Sequence, residues 1–170
     1  YIYSAKSFNK QFQELENAFK RVDSKIFYSV KANSNVNIIS LFNQLDSGFD
    51  IVSGGELHRV VAAGAAPQAI IFSGVGKSVS EIDLALKVGI DCFNVESAPE
   101  LDRIIERSRV LGKKPDISVR INPDIDALTH PYISTGLKEN KFGVDRVSAL
   151  KLFKSAQDSK YVCLLYTSPS

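Results

Sequence analysis

A lysine follows directly on a short apolar segment near the start of the chain. Lys31 comes after the residues 26–30, which read Ile-Phe-Tyr-Ser-Val, and is followed by alanine and asparagine. An amine beside a packed apolar interior is partly desolvated, and desolvation favours the neutral, nucleophilic form. That form is the one a lysine uses to make a Schiff base. A lysine at the end of a strand also commonly extends its charge into solvent, so the residue alone leaves both interpretations open.

Two acids and one arginine occupy similar positions further along the chain. Asp50 lies within Phe-Asp-Ile-Val, where a buried acid needs a partner such as the Lys31 cation; capping a turn is the other interpretation. Glu56 follows two glycines and opens a predicted helix, where the helix dipole alone favours an acid. Arg120 has strand-forming neighbours on both sides, and a structural ion pair explains it as well as a site does.

The elements that carry these residues repeat along the chain. Short β-branched or aromatic runs predict strands at 26–30, 49–52, 69–73, 92–95, 117–121 and 161–166. The first five begin 23, 20, 23 and 25 residues apart, which is the length of one strand and one helix. Ser78 with Glu81, and Ser97 with Glu100, form Ser-x-x-Glu patterns that predict capping boxes at two helix starts.

The predicted strands are apolar on both faces, which is typical of a parallel sheet covered by helices. A doubly wound open sheet and a (β/α)8 barrel both meet that description. No Gly-x-Gly-x-x-Gly follows an early strand, and each unit instead presents a polar or charged residue at its carboxyl end. Barrel enzymes build their sites from several strand ends in this way, so we predict an α/β barrel of the TIM type.

Several of these strand ends form motifs that occur together in one known family. The motifs are Tyr28-Ser-Val-Lys-Ala-Asn33, Phe49-Asp-Ile-Val-Ser-Gly-Gly-Glu56, Phe72-Ser-Gly-Val-Gly-Lys77 and Val119-Arg-Ile-Asn-Pro123. In order and spacing they resemble the ornithine/diaminopimelate/arginine decarboxylases, which are fold-type-III enzymes dependent on pyridoxal phosphate (PLP) with an alanine-racemase-like barrel. The segment His130-Pro-Tyr-Ile-Ser-Thr-Gly136, followed by Lys141-Phe-Gly143, is most similar to the diaminopimelate branch. The resemblance runs from Tyr1 to about residue 163.

The resemblance implies roles for individual residues. Lys31 would be the catalytic lysine that forms the Schiff base with the cofactor pyridoxal 5′-phosphate. Asp50, Glu56 and Arg120 would surround this lysine and contribute to cofactor binding. Lys141 would reach across the interface of a head-to-tail homodimer. The segment that contains His130, Tyr132 and Thr135 would lie near the substrate mouth, without an individual role for any of the three.

The resemblance also implies an activity. The protein would remove carbon dioxide from meso-2,6-diaminopimelate and release L-lysine, as a step of lysine biosynthesis. The nearest alternative is a decarboxylase of the same family that acts on ornithine, arginine or carboxynorspermidine. The alternative from another class is a non-catalytic barrel protein that binds PLP without turnover.

The family pattern breaks near the end of the chain. Residues 161–165 begin the expected strand, but Tyr166-Thr-Ser-Pro-Ser170 then replaces the expected Gly-x-His-x-His-x-Gly-Ser stretch. We therefore expect residues 1–163 to be a partial PLP-binding barrel with about six of eight strands. Residues 164–170 would be a divergent tail, for which an assembly or cloning artefact is one explanation, and the C-terminal β-domain would be missing. Such a chain is expected to be inactive alone.

Composition excludes several other classes of function. With 21 basic and 19 acidic residues the net charge is +2, so we expect no nucleic-acid partner. No apolar run approaches the ~20 residues of a transmembrane helix, so we expect no membrane partner. Two cysteines and two histidines lack the spacing of a metal site, and so few cysteines favour a reducing compartment, the cytoplasm. The first residue is not methionine, so an organellar targeting segment stays an open alternative.

Overall fold

The computed structural model describes residues 2–122 and 142–169, with side chains described as far as residue 165. Lys141 and the segment that contains His130, Tyr132 and Thr135 lie outside the described residues. The predictions made for these four residues therefore stay predictions.

Helices and parallel strands alternate along the chain. The helices are α1 (Ala5–Phe19), α2 (Val36–Gln44), α3 (Gly54–Ala62), α4 (Val79–Val88), α5 (Ala98–Leu111) and α6 (Arg146–Asp158). The strands are β1 (Phe27–Ser29), β2 (Gly48–Ile51), β3 (Ile70–Phe72), β4 (Cys92–Val95), β5 (Asp116–Ile121) and β6 (Cys163–Pro169). A single 3₁₀ turn, Val30–Ala32, follows β1, and another, Pro67–Ala69, precedes β3.

The six predicted strands are present, with small differences at their ends. β4 has the predicted bounds, whereas β1 and β3 are each shorter by one residue at both ends. The largest difference is β6, which begins two residues later than predicted and extends to Pro169. The predicted domain boundary between residues 163 and 164 therefore falls inside a strand that pairs with β5.

The strands pair in the order β1-β2-β3-β4-β5-β6, and every pair is parallel. A doubly wound sheet reverses its strand order at a switch point, whereas a barrel adds each strand beside the one before it. The sequential order therefore confirms the predicted barrel-type α/β fold. Within the described residues β1 and β6 are the two edges, so this part of the barrel is open.

The core lies between the sheet and its helices. Phe49, Phe72 and Phe93 come from three neighbouring strands and are fully buried, as are Leu101 and Ile104 of α5. Burying a side chain of this size contributes about 1.5–3 kcal/mol to stability. These residues hold the strand ends in fixed positions relative to one another.

One of the two predicted capping boxes is present. The Ser78 hydroxyl accepts the backbone N–H of Glu81, and the Glu81 carboxylate accepts the backbone N–H of Ser78. The second box is wrong, because the Ser97 side chain makes no capping hydrogen bond to α5. Glu100, its expected partner, instead turns inward and pairs with Lys77.

None of the helices in the described part of the chain is long and apolar enough to cross a membrane.

Candidate active site

The carboxyl ends of the first five strands surround a cavity of about 260 Å³. Parallel strands end at the same edge of a sheet, so residues far apart in the sequence meet there. Six of the residues that line the cavity are Lys31, Asp50, Ser73, Asn94, Arg120 and Phe142. The cavity thus brings together three of the predicted site residues, Lys31, Asp50 and Arg120; the fourth one in the described part, Glu56, does not line it.

Lys31 lines this cavity and is exposed to solvent. It lies in the 3₁₀ turn Val30–Ala32 after β1 and directly follows Val30, which is fully buried. The turn is held by Tyr28, whose ring stacks on Phe42 with 4.2 Å between centroids and whose hydroxyl donates to the Asn33 carbonyl at 3.0 Å. Burial raises the pKa of the Tyr28 hydroxyl, which therefore stays a donor. Among the described residues the Lys31 ammonium has no hydrogen bond and no ion pair, so its amine is available to a ligand.

Asp50 is held from one side by a hydroxyl. Its Oδ1 accepts a hydrogen bond of 2.5 Å from the Ser73 hydroxyl, which itself accepts one of 2.8 Å from the Asn94 amide. The Asn94 carbonyl oxygen in turn accepts the hydroxyl hydrogen of Ser118. Asp50 is partly buried, and its partner among the described residues is the Ser73 hydroxyl rather than the Lys31 cation that the sequence suggested.

Arg120 reaches the cavity from β5 and pairs with a buried acid that sequence reasoning missed. Its Nη1 lies 3.4 Å from both carboxylate oxygens of Glu96, and its guanidinium carbon lies 5.0 Å from the centre of the Phe142 ring. The Glu96 side chain is 1% exposed, whereas that of Arg120 is 28% exposed. Arg120 is therefore both a structural ion pair and a cavity residue, so its two interpretations are compatible.

Glu96 also connects two backbone segments around the cavity. Its carboxylate accepts the backbone N–H of Gly74 at 2.8 Å and that of Gly143 at 3.2 Å. Gly143 has a φ of +72°, and a Cβ there would lie 2.9 Å from the Arg120 carbonyl oxygen. The available sequence signal was position alone, because Glu96 follows β4 directly and Lys31 stands two residues after β1.

Glu56 takes a different position from the other predicted residues. Its Oε2 accepts the backbone N–H of Val52 at 2.7 Å, and its own N–H donates to the Ser53 hydroxyl at 3.2 Å. The cavity-lining residues do not include Glu56, although they include Val52. In this structure Glu56 fixes the start of α3, and its contact with a cofactor stays a prediction.

A buried ion pair supports the cavity from behind. The Lys77 Nζ donates to Glu100 Oε1 at 2.6 Å and to the carbonyls of Gly74 and Asn94, both at 2.8 Å. Glu100 Oε2 accepts the backbone N–H of Glu96 at 3.1 Å. These bonds join the loop after β3, the end of β4 and the start of α5.

The described residues contain no group of three or more histidine, cysteine, aspartate or glutamate side chains that could hold a metal ion. Of the two histidines, the described one, His58, is exposed on α3 and does not reach the cavity.

The fold and the cavity together define a barrel-type α/β domain in which a lysine after the first strand lines a cavity at the carboxyl ends of the strands. Residues 5–165 match the family model described as "Pyridoxal-dependent decarboxylase, pyridoxal binding domain". The match covers nearly the whole chain, and the chain belongs to this family. It also confirms the predicted class of cofactor, because the family is defined by pyridoxal binding.

Relatives with assigned names are similar over almost all of the chain. Diaminopimelate decarboxylase from Neisseria meningitidis serogroup A is 53% identical over 156 residues, which are 92% of this chain and 38% of the relative. The Helicobacter pylori enzyme of the same name is 51% identical over 162 residues, which are 95% of this chain and 40% of the relative. The chain thus spans about 40% of the length of these relatives.

Solved structures show the same similarity. A mutant of the Helicobacter pylori diaminopimelate decarboxylase, complexed with L-lysine, has a TM-score of 0.96 at 48% identity. The aligned region covers 99% of this chain and 43% of the mutant's chain. The diaminopimelate decarboxylase from M. jannaschii has a TM-score of 0.90 at 36% identity, and the aligned region covers 98% of this chain and 40% of the M. jannaschii chain.

Proposed function

We propose that this chain is the cofactor-binding part of a decarboxylase that converts meso-2,6-diaminopimelate to L-lysine and carbon dioxide. The observation that carries the proposal is the Lys31 amine, which has no partner among the described residues and shares a cavity with Asp50 and Arg120. Relatives that are about 50% identical to the chain bear the name diaminopimelate decarboxylase, and their similarity supports this substrate.

The residues of the cavity fit pyridoxal phosphate. The group requires a lysine amine that is not already committed to an ion pair, and Lys31 meets that requirement among the described residues. When bound, pyridoxal phosphate accepts the electron pair that is left behind when carbon dioxide departs. Lys31 would hold the cofactor through its amine, and Asp50 would present a carboxylate beside it.

The charges around the cavity suit an amino-acid substrate. Arg120 offers a planar cation that binds a carboxylate, and Asp50 offers an acceptor for an ammonium group. Glu96 holds the guanidinium of Arg120 at 3.4 Å, and Arg120 also lines the cavity. Both charges of an amino acid therefore find a partner of opposite sign.

We further propose that the complete protein is a homodimer with Lys141 at the interface and that it works in the cytoplasm. The homodimer rests on the family resemblance, and the cytoplasmic location rests on the few cysteines of the chain.

The test uses a complete enzyme, in which this chain is joined to the C-terminal part of the Helicobacter pylori relative; we call it the fused enzyme. Carbon dioxide release is measured with meso-2,6-diaminopimelate, ornithine, arginine and carboxynorspermidine. We expect turnover with diaminopimelate, and preference for another of these amines would overturn the substrate. Binding of pyridoxal phosphate without any turnover would favour the non-catalytic alternative.

Lys31→Ala should lower the rate of the fused enzyme by about a thousandfold or more, because no other cavity amine is available among the described residues. Reduction with borohydride in the presence of pyridoxal phosphate, followed by peptide mapping, should label Lys31 in the parent. The matched control is Lys10→Ala on the exposed face of α1, which should keep both the rate and the label. Equal labelling of the Lys31→Ala protein would refute the assignment.

A further inference from the structure

A chain of side-chain hydrogen bonds crosses the inside of the sheet and ends on Asp50. Ser118 donates to the carbonyl oxygen of Asn94, the Asn94 amide nitrogen donates to Ser73 at 2.8 Å, and Ser73 donates to Asp50 Oδ1 at 2.5 Å. Each of the four residues belongs to a different strand or strand end, from β2 to β5. Asn94 and Ser118 are direct partners in the register of β4 and β5.

The direction of every donation in this chain follows from the carboxylate. An ionised carboxylate only accepts, so the single hydroxyl hydrogen of Ser73 goes to Asp50. Ser73 must then accept from an N–H, which turns the amide nitrogen of Asn94 toward it. The amide oxygen of Asn94 consequently faces Ser118, which must donate. Hydrogen bonds aligned in one direction polarise one another, so each donor strengthens the next toward Asp50.

At its far end the hydrogen-bond chain meets a thiol. Ser118 lies beside the Cys92 thiol, which is buried on the same inner face of the sheet. Burial raises the pKa of the Cys92 thiol to about 11, so the group stays neutral at physiological pH. Asp50 is therefore the one charged group of the chain formed by residues 50, 73, 94 and 118.

The arrangement leaves one oxygen of Asp50 for the cavity. Oδ1 is committed to Ser73, whereas Oδ2 has no partner within the described part of the chain. Asp50 and Lys31 both line the cavity, so Oδ2 is the acceptor available to a cationic or N–H group there.

We propose that Ser73, Asn94 and Ser118 are positioning residues, whose aligned hydrogen bonds anchor Oδ1 of Asp50 so that Oδ2 stays presented to the group held by Lys31. The inference deepens the proposed function and rests on it. None of the three is proposed to take part in the chemical step; they act through Asp50. The opposing interpretation is that the chain only stabilises the interior of the barrel.

Two substitutions in the fused enzyme separate these interpretations. Asn94→Asp keeps the shape of the side chain but removes the donor to Ser73, so that two carboxylates compete for one hydroxyl hydrogen. Ser73→Ala removes the last donor outright. A charge-assisted hydrogen bond of this kind corresponds to about a tenfold to hundredfold change in rate. We expect kcat to fall by that factor in both variants.

Ser73→Thr and Ser108→Ala are the controls. Ser73→Thr retains the hydroxyl and should recover most of the lost kcat. Ser108 is fully buried in α5 and its hydroxyl has no partner among the described residues, so Ser108→Ala removes a buried serine hydroxyl outside the chain. It should keep the parent kcat.

A second readout does not depend on turnover. The rate at which borohydride fixes pyridoxal phosphate on Lys31 should fall severalfold in Asn94→Asp and Ser73→Ala, and match the parent in Ser108→Ala. If both variants melt earlier but keep the parent kcat and fixation rate, the chain is only structural and the inference is wrong. If the parent fixes the cofactor on Lys31 but decarboxylates none of the amino acids tested, the proposed function fails while the fixation rates still decide the inference.

Discussion

The Nζ of Lys77 lies 2.6 Å from Oε1 of Glu100, and neither side chain is exposed by more than 1%. The pair is held by three further hydrogen bonds, two from Lys77 to backbone carbonyls and one from the Glu96 N–H to Glu100. A buried charge is expensive to desolvate, and such a pair survives only when the remaining donors and acceptors are also satisfied. In this pair the remaining donors and acceptors are satisfied, and their hydrogen bonds position the end of β4, which carries Asn94 and Glu96.

Removing one member of this pair should be far more damaging than removing both. Lys77→Met leaves the Glu100 carboxylate buried without its cation, and we expect a loss of about 3–5 kcal/mol in the free energy of unfolding. Lys77→Met combined with Glu100→Leu should recover a substantial part of that loss. Urea unfolding of the fused enzyme measures both. A double variant that is less stable than Lys77→Met would contradict this explanation.

The exposed pair on α1 provides the comparison for that experiment. Lys10 and Glu14 lie 3.7 Å apart with side chains 70% and 57% exposed. Solvent screens such a pair, so Lys10→Ala should change stability by less than about 1 kcal/mol.

Glu96 is predicted to matter for activity through Arg120. Glu96→Gln keeps the size of the side chain but removes its charge and one acceptor. Charge-assisted hydrogen bonds contribute about 1.5–3 kcal/mol, so both stability and the position of the guanidinium should suffer. We expect KM for diaminopimelate to rise about tenfold in the fused enzyme, because we propose Arg120 as the cation that binds the substrate carboxylate. An unchanged KM would show that Arg120 is held without Glu96.

The contrast between Lys31 and Glu96 shows how far the sequence could predict the site. The repeat of strand and helix predicted the six strands, and the parallel topology then brought Lys31, Asp50 and Arg120 to one edge. Glu96 and Lys77 also follow strands in the sequence. What distinguishes a charge that holds the structure together from one available to a ligand is its burial and its partners, and these depend on tertiary packing. The Ser97–Glu100 spacing wrongly predicted a capping box. The prediction failed because a local pattern carries no information about Lys77, which lies 23 residues away in the sequence and pairs with Glu100.

Ionisation of the Glu81 carboxylate should contribute to the pH dependence of the protein's stability. Its pKa is lowered, chiefly by the hydrogen bond from the Gly54 N–H and further by bonds from Ser78, while partial burial opposes the shift. A lowered folded-state pKa means that the stabilisation is complete above the ordinary value of 4.5 and is lost as the pH falls through the folded-state pKa.

Glu81→Gln should therefore destabilise the fused enzyme near neutral pH, and the difference from the parent should shrink as the pH falls below 4.5. Thermal melting between neutral pH and the acid limit measures this difference. Glu14→Gln on the exposed face of α1 is the control, and its melting curve should run parallel to that of the parent. A difference for Glu81→Gln that stays constant with pH would show that the carboxylate charge plays no part.

The two cysteines should differ sharply in reactivity. Cys92 is buried at the inner face of β4, and desolvation raises the pKa of its thiol to about 11, so almost no thiolate forms at neutral pH. Cys163 is exposed at the start of β6; its thiol pKa is also raised, first by a hydrogen bond with Asp116, so it should react slowly rather than not at all.

Alkylation of the folded fused enzyme with iodoacetamide, followed by peptide mapping, should label Cys163 and leave Cys92 unmodified. Both should be labelled after unfolding in urea, which shows that protection of Cys92 comes from the fold. The Cys92 result also bears on the hydrogen-bond chain, because a reactive Cys92 would require the inner face beside Ser118 to open to solvent. Rapid labelling of Cys92 in the folded protein would therefore contradict both its burial and a closed inner face beside Ser118.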